Sequence, residues 1–323
     1  MQLRYLKTKL QAVAVITVVA TAAHADAPNV EFIAGIIGDP FYTSMECGAR
    51  DAAKEFNVAL TWTGPTDWDI AKQQPFIDAA VQNAPDGLIM APTDARALIS
   101  QVEELVQGGL PVLTVDVPLE EAVEVQNISS NQYAGGAAAA VAMERVAGFE
   151  GSFVALGLRP GMPDIDARVN GFTENFGGAD KGTNILATLY PETSTTKASE
   201  LVSATILANP DLKGIYATHF AAATGAAAAI LQAGRQGDIK LVAFDAGPQQ
   251  VRDLRDGVYD ALIAQEPYTM GYDSVRLISQ LISGEVAIGD VDQSVKTEAV
   301  VATRANMDDP EVSKYFYVVS CER

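Results

Sequence analysis

From residue 29 to residue 265 the chain sets short apolar runs beside amphipathic stretches of helical length. The runs "VEFIAGII", "VALTWT", "DGLIMA", "PVLTVD", "SFVALGL", "NILATLY", "KGIYAT", "IKLVAFD" and "YDALIAQ" are apolar with little alternation. A strand without a polar face must be covered on both sides, and that is the situation of a parallel sheet between two layers of helices. The stretches 41–55, 70–83, 94–108, 131–147, 194–208, 221–233 and 267–283 supply the helices. Their alanine clusters "GGAAAAVAM" and "AAATGAAAAI" suit close packing on a sheet, because Ala has the highest helix propensity. Repeated βα units of this size predict a doubly wound α/β fold.

The N-terminus stands apart from this pattern. Arg4, Lys7 and Lys9 precede an apolar stretch, residues 10–20, that is too short to span a bilayer stably, and "AHA" before Asp26 is an Ala-x-Ala cleavage signature. Residues 1–25 therefore read as a cleavable signal peptide. With no Cys at the cut, a lipid anchor there is not expected, and a soluble exported protein is. Cleavage removes three basic residues and no acidic one, which moves the formal charge from −19 to −22. A surface this acidic repels nucleic acid and anionic lipid, so neither is expected as a partner.

About 298 of the 323 residues remain, more than one core usually serves, so two lobes are expected. One series of βα units runs to about residue 130 and a second follows it. The chain has two cysteines, Cys47 and Cys321. In an oxidising compartment they form either one disulfide closing nearly the whole chain or two unrelated buried thiols.

Ligands of open parallel sheets bind beyond the carboxyl ends of the strands. The residues just past the strands are Asp39, Phe41, Tyr42, Trp68, Thr93, Asp94, Asp116, Asp164, Arg168, His219, Asp245 and Gln265, a set rich in carboxylates and aromatics. Each has a plain alternative. Asp39 can be a turn residue before Pro40, Phe41 and Tyr42 can cap a core, and Trp68 can be a lid over loose packing. Asp94 reads as a helix N-cap. Asp164 and Arg168, four residues apart in "GMPDIDAR", suit an exposed helical ion pair as well as a binding wall.

These motifs, in their order and spacing, resemble the periplasmic sugar-binding proteins of the ribose-binding and galactose/glucose-binding type that feed ABC importers. The resemblance rests on "GDPFYTSMECGA", "PDGLIMAPTD", "PVLTVD", "SSNQYAGG", "GMPDIDAR", "VAFDAGP" and "LIAQEP" and covers nearly the whole mature chain. It implies a type I periplasmic binding protein fold, α/β, with two doubly wound parallel-sheet lobes joined by a three-segment hinge. By this likeness residues 26–130 with 265–292 form one lobe and 131–264 with 293–323 the other, with crossings near 130, 264 and 292.

The same resemblance implies that Asp39, Asp116, Asp164 and Asp245 accept from ligand hydroxyls, that Arg168 donates to them, and that the Phe41 ring stacks on a sugar face. Tyr42, Trp68, His219 and Gln265 complete the implied ligand set. His219 stands where better-known relatives carry Asn, Met162 stands where the galactose/glucose type carries His, and "YPETSTTKAS" offers no counterpart to the second stacking aromatic. The implied partners are a neutral sugar or polyol and a membrane permease, with the chain as a monomer.

The residues themselves agree with that ligand class. Carboxylates accept from hydroxyls and an Arg fork donates to two oxygens, whereas an anionic ligand meets net repulsion from four aspartates against Arg168. His219 is the one histidine left after cleavage, so no multi-His metal site forms. No nucleophile with an adjacent base and no Gly-rich phosphate loop is present, so no catalytic residues, cofactor or metal are expected. Two other readings share the residues: a sugar-sensing partner of a membrane receptor, and a sugar-processing enzyme using paired carboxylates.

Overall fold

The computed structural model describes residues 27–178 and 181–322. The expected signal peptide, residues 1–25, lies outside the described residues. The first sheet is built from β1 (Asn29–Ile33), β2 (Ala59–Thr63), β3 (Gly87–Met90), β4 (Val112–Val115), β5 (Gln126–Ser130) and β11 (Ser294–Thr297), in the order β11-β5-β4-β3-β1-β2 with every pair parallel. The second holds β6 (Gly151–Leu156), β7 (Thr183–Ile185), β8 (Leu212–Ala217), β9 (Lys240–Phe244), β10 (Ala261–Ala264) and β12 (Val300–Ala302), in the order β12-β10-β9-β8-β6-β7. Here only the edge strand β12 is antiparallel to its neighbour.

Both faces of each sheet are covered, as the unbroken apolar runs require. Phe32, Ile89 and Leu113 face α1 (Pro40–Glu55) and α9 (Pro267–Ser283), while Ile33, Leu88 and Val112 face α2 (Ile70–Gln82) and α3 (Ile99–Gln107). In the second lobe Phe153, Tyr216 and Val242 pack with α4 (Gln132–Ala147) and α5 (Pro163–Asn175). Val154, Ile215 and Leu241 pack with α6 (Thr195–Ala208) and α7 (Phe220–Gln232), with α8 (Pro248–Arg255) beside them.

The helix pairs next to the hinge approach closely through glycine. A Cβ on Gly48 of α1 would strike the Tyr268 carbonyl, and one on Gly271 of α9 would strike that of Met45. Gly136 and Gly171 let α4 and α5 meet in the same way, against the carbonyls of Arg168 and Tyr133. The latter contact fixes the height at which α5 carries Arg168 over the second sheet.

The chain passes between the sheets after β5, after β10 and between β11 and β12. The third passage was expected near residue 292, but it lies beyond Thr297. Ser294–Thr297 pairs with Asn127–Ser130 and extends the first sheet. The tail, expected to stay with the second lobe, also departs from that reading. After α10 (Pro310–Ser313) it returns to the first lobe, where Cys321 is disulfide-bonded to Cys47 on α1. Of the two readings open for these cysteines, the single bridge is the one formed.

Candidate functional site

At the carboxyl edge of the first sheet, Asp39 caps α1, its Oδ1 accepting from the Phe41 N–H at 2.8 Å, and Pro40 starts the helix with its φ already set. The turn reading and the site reading of Asp39 thus hold together, since a cap needs one acceptor and a carboxylate has several. The helix start aims two rings across the strand ends. Tyr42 is buried and its hydroxyl donates to Asp116 Oδ2 at 2.6 Å. Phe41 is 9% exposed, its ring edge-on to Tyr42 at 5.2 Å and to Tyr317 at 5.6 Å. Trp68, 41% exposed, lies 6.3 Å from the Tyr42 ring, and a Cβ on Gly35 would collide with both side chains. Asp94 accepts from the N–H groups of Arg96 and Ala97, but it holds a turn rather than the expected helix N-cap, because α3 starts only at Ile99, after Leu98, with no side-chain cap.

Asp116 directly follows β4 with φ +65°, and Asp245 directly follows β9 with φ +75°. This left-handed region is costly for any residue with a Cβ, though Asp tolerates it better than most. It turns each carboxylate out over the strand ends. Burial raises the Asp116 carboxyl to about 7, the Tyr42 hydroxyl works against the rise, and Asp164 and Asp245 add to it from the other lobe. Burial also raises Asp39 and Asp164, with Asp245 opposing the ionisation of Asp39. Acids of both lobes therefore feel one another across the cleft.

On the second lobe the "DIDAR" spacing does not make an ion pair. Among the described residues no carboxylate lies within salt-bridge distance of Arg168. Instead Arg168 is 7% exposed, with Nε donating to Gln132 Oε1 at 2.7 Å, Nη1 to the Thr218 carbonyl at 2.7 Å and Nη2 to Gln265 Oε1 at 3.4 Å. Its guanidinium lies 4.0 Å from the centroid of the Phe244 ring. Asp164 stands in the first turn of α5, part-exposed, with Arg168 and then Lys296 favouring its charge.

His219 caps α7. Its Nδ1 accepts from the Ala222 N–H at 3.5 Å and its Nε2 contacts the Gly157 carbonyl at 3.2 Å, so the proton belongs on Nε2. Burial lowers its pKa to about 4, which keeps it neutral near pH 7. Asp245 Oδ1 accepts from Gln265 Nε2 at 2.9 Å, and Gln265 Oε1 accepts from Ser130 Oγ, on the first lobe, at 2.7 Å. Gln265 is thus a hinge-side amide that also touches two of the charged groups.

The structure adds groups that sequence reasoning missed. Tyr317 inserts from the tail, and Gln132 and Thr218 hold Arg168. Lys296, on β11, donates to Ser129 Oγ at 2.6 Å and is the second cation beside the acids, its pKa lowered by burial and sustained by Asp164. Tyr190 packs its ring against Gly157, beside His219. Gln132, Thr218 and Tyr190 lie beyond the ends of β5, β8 and β7, where the same counting past the strands could have found them, whereas Lys296 and Tyr317 come from segments whose position depends on the third passage and on the tail.

The family described as the periplasmic binding protein domain matches residues 30–285. The chain belongs to this family. It is 26% identical over 285 residues to the ribose import binding protein of Salmonella typhimurium, covering 88% of this chain and 95% of that one. It is 27% identical over 270 residues to the D-apiose import binding protein of Actinobacillus succinogenes, covering 83% and 86%. An ABC transporter solute binding protein from Agrobacterium vitis bound with alpha-D-tagatopyranose superposes with a TM-score of 0.81 at 28% identity, over 90% of this chain and 99% of that one. The family and these relatives are binding proteins rather than enzymes, and the two-lobed, predominantly parallel architecture is that of type I periplasmic binding proteins.

In this periplasmic binding protein the carboxyl edges of the two sheets bring part-exposed Asp39, Asp116, Asp164, Asp245 and His219 together above buried Arg168, Gln265, Tyr42 and Phe41. Such a cleft offers many acceptors and few free donors. It can bind a molecule rich in hydroxyl donors without transferring charge, and among the described residues no cluster of His, Cys, Asp and Glu could hold a metal ion.

Proposed function

We propose that the chain captures a neutral sugar or polyol in the cleft between its two lobes and delivers it to the membrane permease of an ABC importer. The observation that carries this reading is the placing of Asp116 and Asp245 at matching strand ends of the two sheets, where Asp164 and Asp245 add to burial in opposing the ionisation of Asp116. Hydroxyl donors supplied by a ligand relieve that repulsion, and each hydrogen bond to a carboxylate is worth about 1.5–3 kcal/mol. The import roles of the ribose- and apiose-binding relatives, and the tagatopyranose in the Agrobacterium vitis protein, support the class of ligand and the permease partner.

In this reading Asp39, Asp116, Asp164 and Asp245 accept from hydroxyls, Arg168 and His219 orient oxygens, Phe41 and Tyr42 cover an apolar ring face, and Trp68 closes over them. Residues 26–130 with 265–297 form one lobe and 131–264 with 298–316 the other. A ligand that bonds both sets shifts an open–closed equilibrium toward closed. Residues 1–25 act as the signal peptide, and the mature chain works in the periplasm as a monomer.

Mass spectrometry of ligand released from the natively purified protein, paired with a thermal-shift screen of neutral sugars, polyols, sugar acids and sugar phosphates, tests the proposal. A released or stabilising neutral sugar, recovered chemically unchanged, supports it. Stabilisation by anionic compounds alone, or turnover of the bound sugar, contradicts it.

A further inference from the structure

The tail beyond β12 takes a route that neither sheet requires. The Tyr317 N–H donates to the Ala246 carbonyl in the second lobe, and the next N–H, of Val318, donates to Ser44 Oγ on α1 of the first lobe at 2.9 Å. Cys321 is then bonded to Cys47 on the same helix. Between these anchors Tyr317 is 5% exposed. Its ring lies edge-on to Phe41, its hydroxyl donates to Asp245 Oδ1 at 3.2 Å, and that hydroxyl accepts from the Gln265 N–H at 3.3 Å. One tail side chain therefore touches Phe41 of the first lobe, Asp245 of the second and Gln265 at the hinge between them.

We infer that the disulfide-anchored tail is a fourth passage between the lobes and that Tyr317 is a positioning residue for ligand binding, holding the Asp245 carboxylate and the Phe41 ring in the orientations a ligand meets. The inference rests on the sugar-binding reading of the cleft. Gln265 Nε2 and the Tyr317 hydroxyl both use Oδ1 of Asp245, which leaves Oδ2 without a protein donor among the described residues. A carboxylate fixed in this way presents its second oxygen before the ligand arrives, and orientation settled in advance is affinity not lost on binding.

The disulfide supplies the anchorage. Residues 318–322 are exposed, with Val319 72% exposed, so little apolar burial holds the tail on α1. Without the bond to Cys47, the Val318 hydrogen bond to Ser44 is the main remaining tie described for this stretch. Release of the tail frees Tyr317 to leave Asp245 and Phe41 together.

The wild type is first titrated with D-ribose, D-allose, D-tagatose, D-fucose and D-arabinose, and the tightest of these serves as the probe. Tyr317→Phe keeps the ring against Phe41 and removes the hydroxyl. It is expected to weaken the probe about tenfold, the worth of one hydrogen bond to a charged group. The Cys47→Ser/Cys321→Ser pair is expected to weaken it by a similar factor, and adding Tyr317→Phe to that pair is expected to cost nothing more, because a released tail no longer delivers the hydroxyl. Wild-type affinity in Tyr317→Phe, or two losses that multiply, overturns the inference. Amide exchange at Gln265, read by NMR without sugar, is a separate arm and should quicken in both variants. If no sugar binds the wild type, the sugar reading fails while this arm still judges the tail. Unchanged Gln265 exchange in both variants then overturns the inference by itself.

Discussion

Asp116 and Asp245 occupy equivalent places in the two lobes. Each follows the carboxyl end of a strand, each has a left-handed backbone, and each N–H is bonded to the adjoining strand, Asp116 to the Ile128 carbonyl and Asp245 to that of Ile263. The two sheets thus offer one acid apiece from the same structural position, and burial, with Asp164 and Asp245 adding to it, disfavours the ionised form of Asp116. A local cost held at matching positions is what a binding site stores, and it shapes each expectation below.

Asp116→Asn keeps a side chain that tolerates the left-handed backbone and leaves the Tyr42 hydroxyl an acceptor, while removing the buried charge. A carboxyl whose folded pKa is raised binds its proton more tightly when folded, so the stability it contributes is present at low pH and is lost as pH rises from about 4 through about 7. The variant is therefore expected to be more stable than wild type at pH 8, by on the order of 2–4 kcal/mol, and equal to it near pH 4. Its sugar affinity should fall at least tenfold. Urea unfolding at the two pH values and calorimetric titration check the two halves.

Ligand binding to wild type should release protons near neutral pH. Hydroxyl donors favour the ionised Asp116, so affinity is expected to decline below about pH 7, approaching about tenfold per pH unit. Calorimetry in buffers of different ionisation enthalpy measures the proton count directly. A pH-independent affinity between 5 and 8 contradicts the assignment of Asp116 as a ligand acceptor.

His219 titrates with the opposite sign. Its folded pKa of about 4 lies below the usual histidine value, so stability is lost as pH falls from about 6.5 toward 4, where the unfolded chain takes up a proton the folded one refuses. Asn is a good helix cap and does not titrate there, so His219→Asn should keep α7 intact. The stability difference between wild type and His219→Asn should shrink or reverse over that window, by roughly 2–3 kcal/mol. Parallel unfolding curves for the two proteins from pH 7 to pH 4 provide the comparison.

Arg168→Ala is expected to weaken sugar binding by about 2–4 kcal/mol, because buried acceptors lose a charged donor. An exposed ion pair could be removed without harm to the apo fold. The buried geometry says otherwise, since Gln132, the Thr218 carbonyl and Phe244 all lose their partner. Apo stability should therefore drop as well. Arg168→Lys should not restore affinity, because an ammonium cannot reproduce the planar fork that reaches three acceptors. Thermal unfolding and titration of both variants test this.

The layered architecture was legible because strands covered on both faces leave an unbroken apolar signature, as at "DGLIMA" and "KLVAF". The positions of Asp116, Asp245 and Gln265 followed from counting just past those strands. Where the sequence reading departs from the structure, the deciding contacts are remote. "SVKT" is a short, largely exposed edge strand with no apolar run, so its place beside β5, and with it Lys296, had no local signal. The "DIDAR" spacing by itself suits an exposed ion pair as well as a binding wall, and what decides against the ion pair is remote: α5 meets α4 closely at Gly136 and Gly171, and Arg168 donates to Gln132. Tyr317 depends on a tail whose course is set by a bond to a helix 274 residues earlier.

The most direct test of a neutral ligand held by acids of both lobes is calorimetric titration of the mature protein with D-ribose, D-allose and D-tagatose alongside D-glucuronate and D-ribose 5-phosphate. One-to-one binding of at least one neutral sugar, at about micromolar dissociation constant or tighter, with no heat from either anion, is the predicted result. Binding of an anion with no response to any neutral sugar would contradict it.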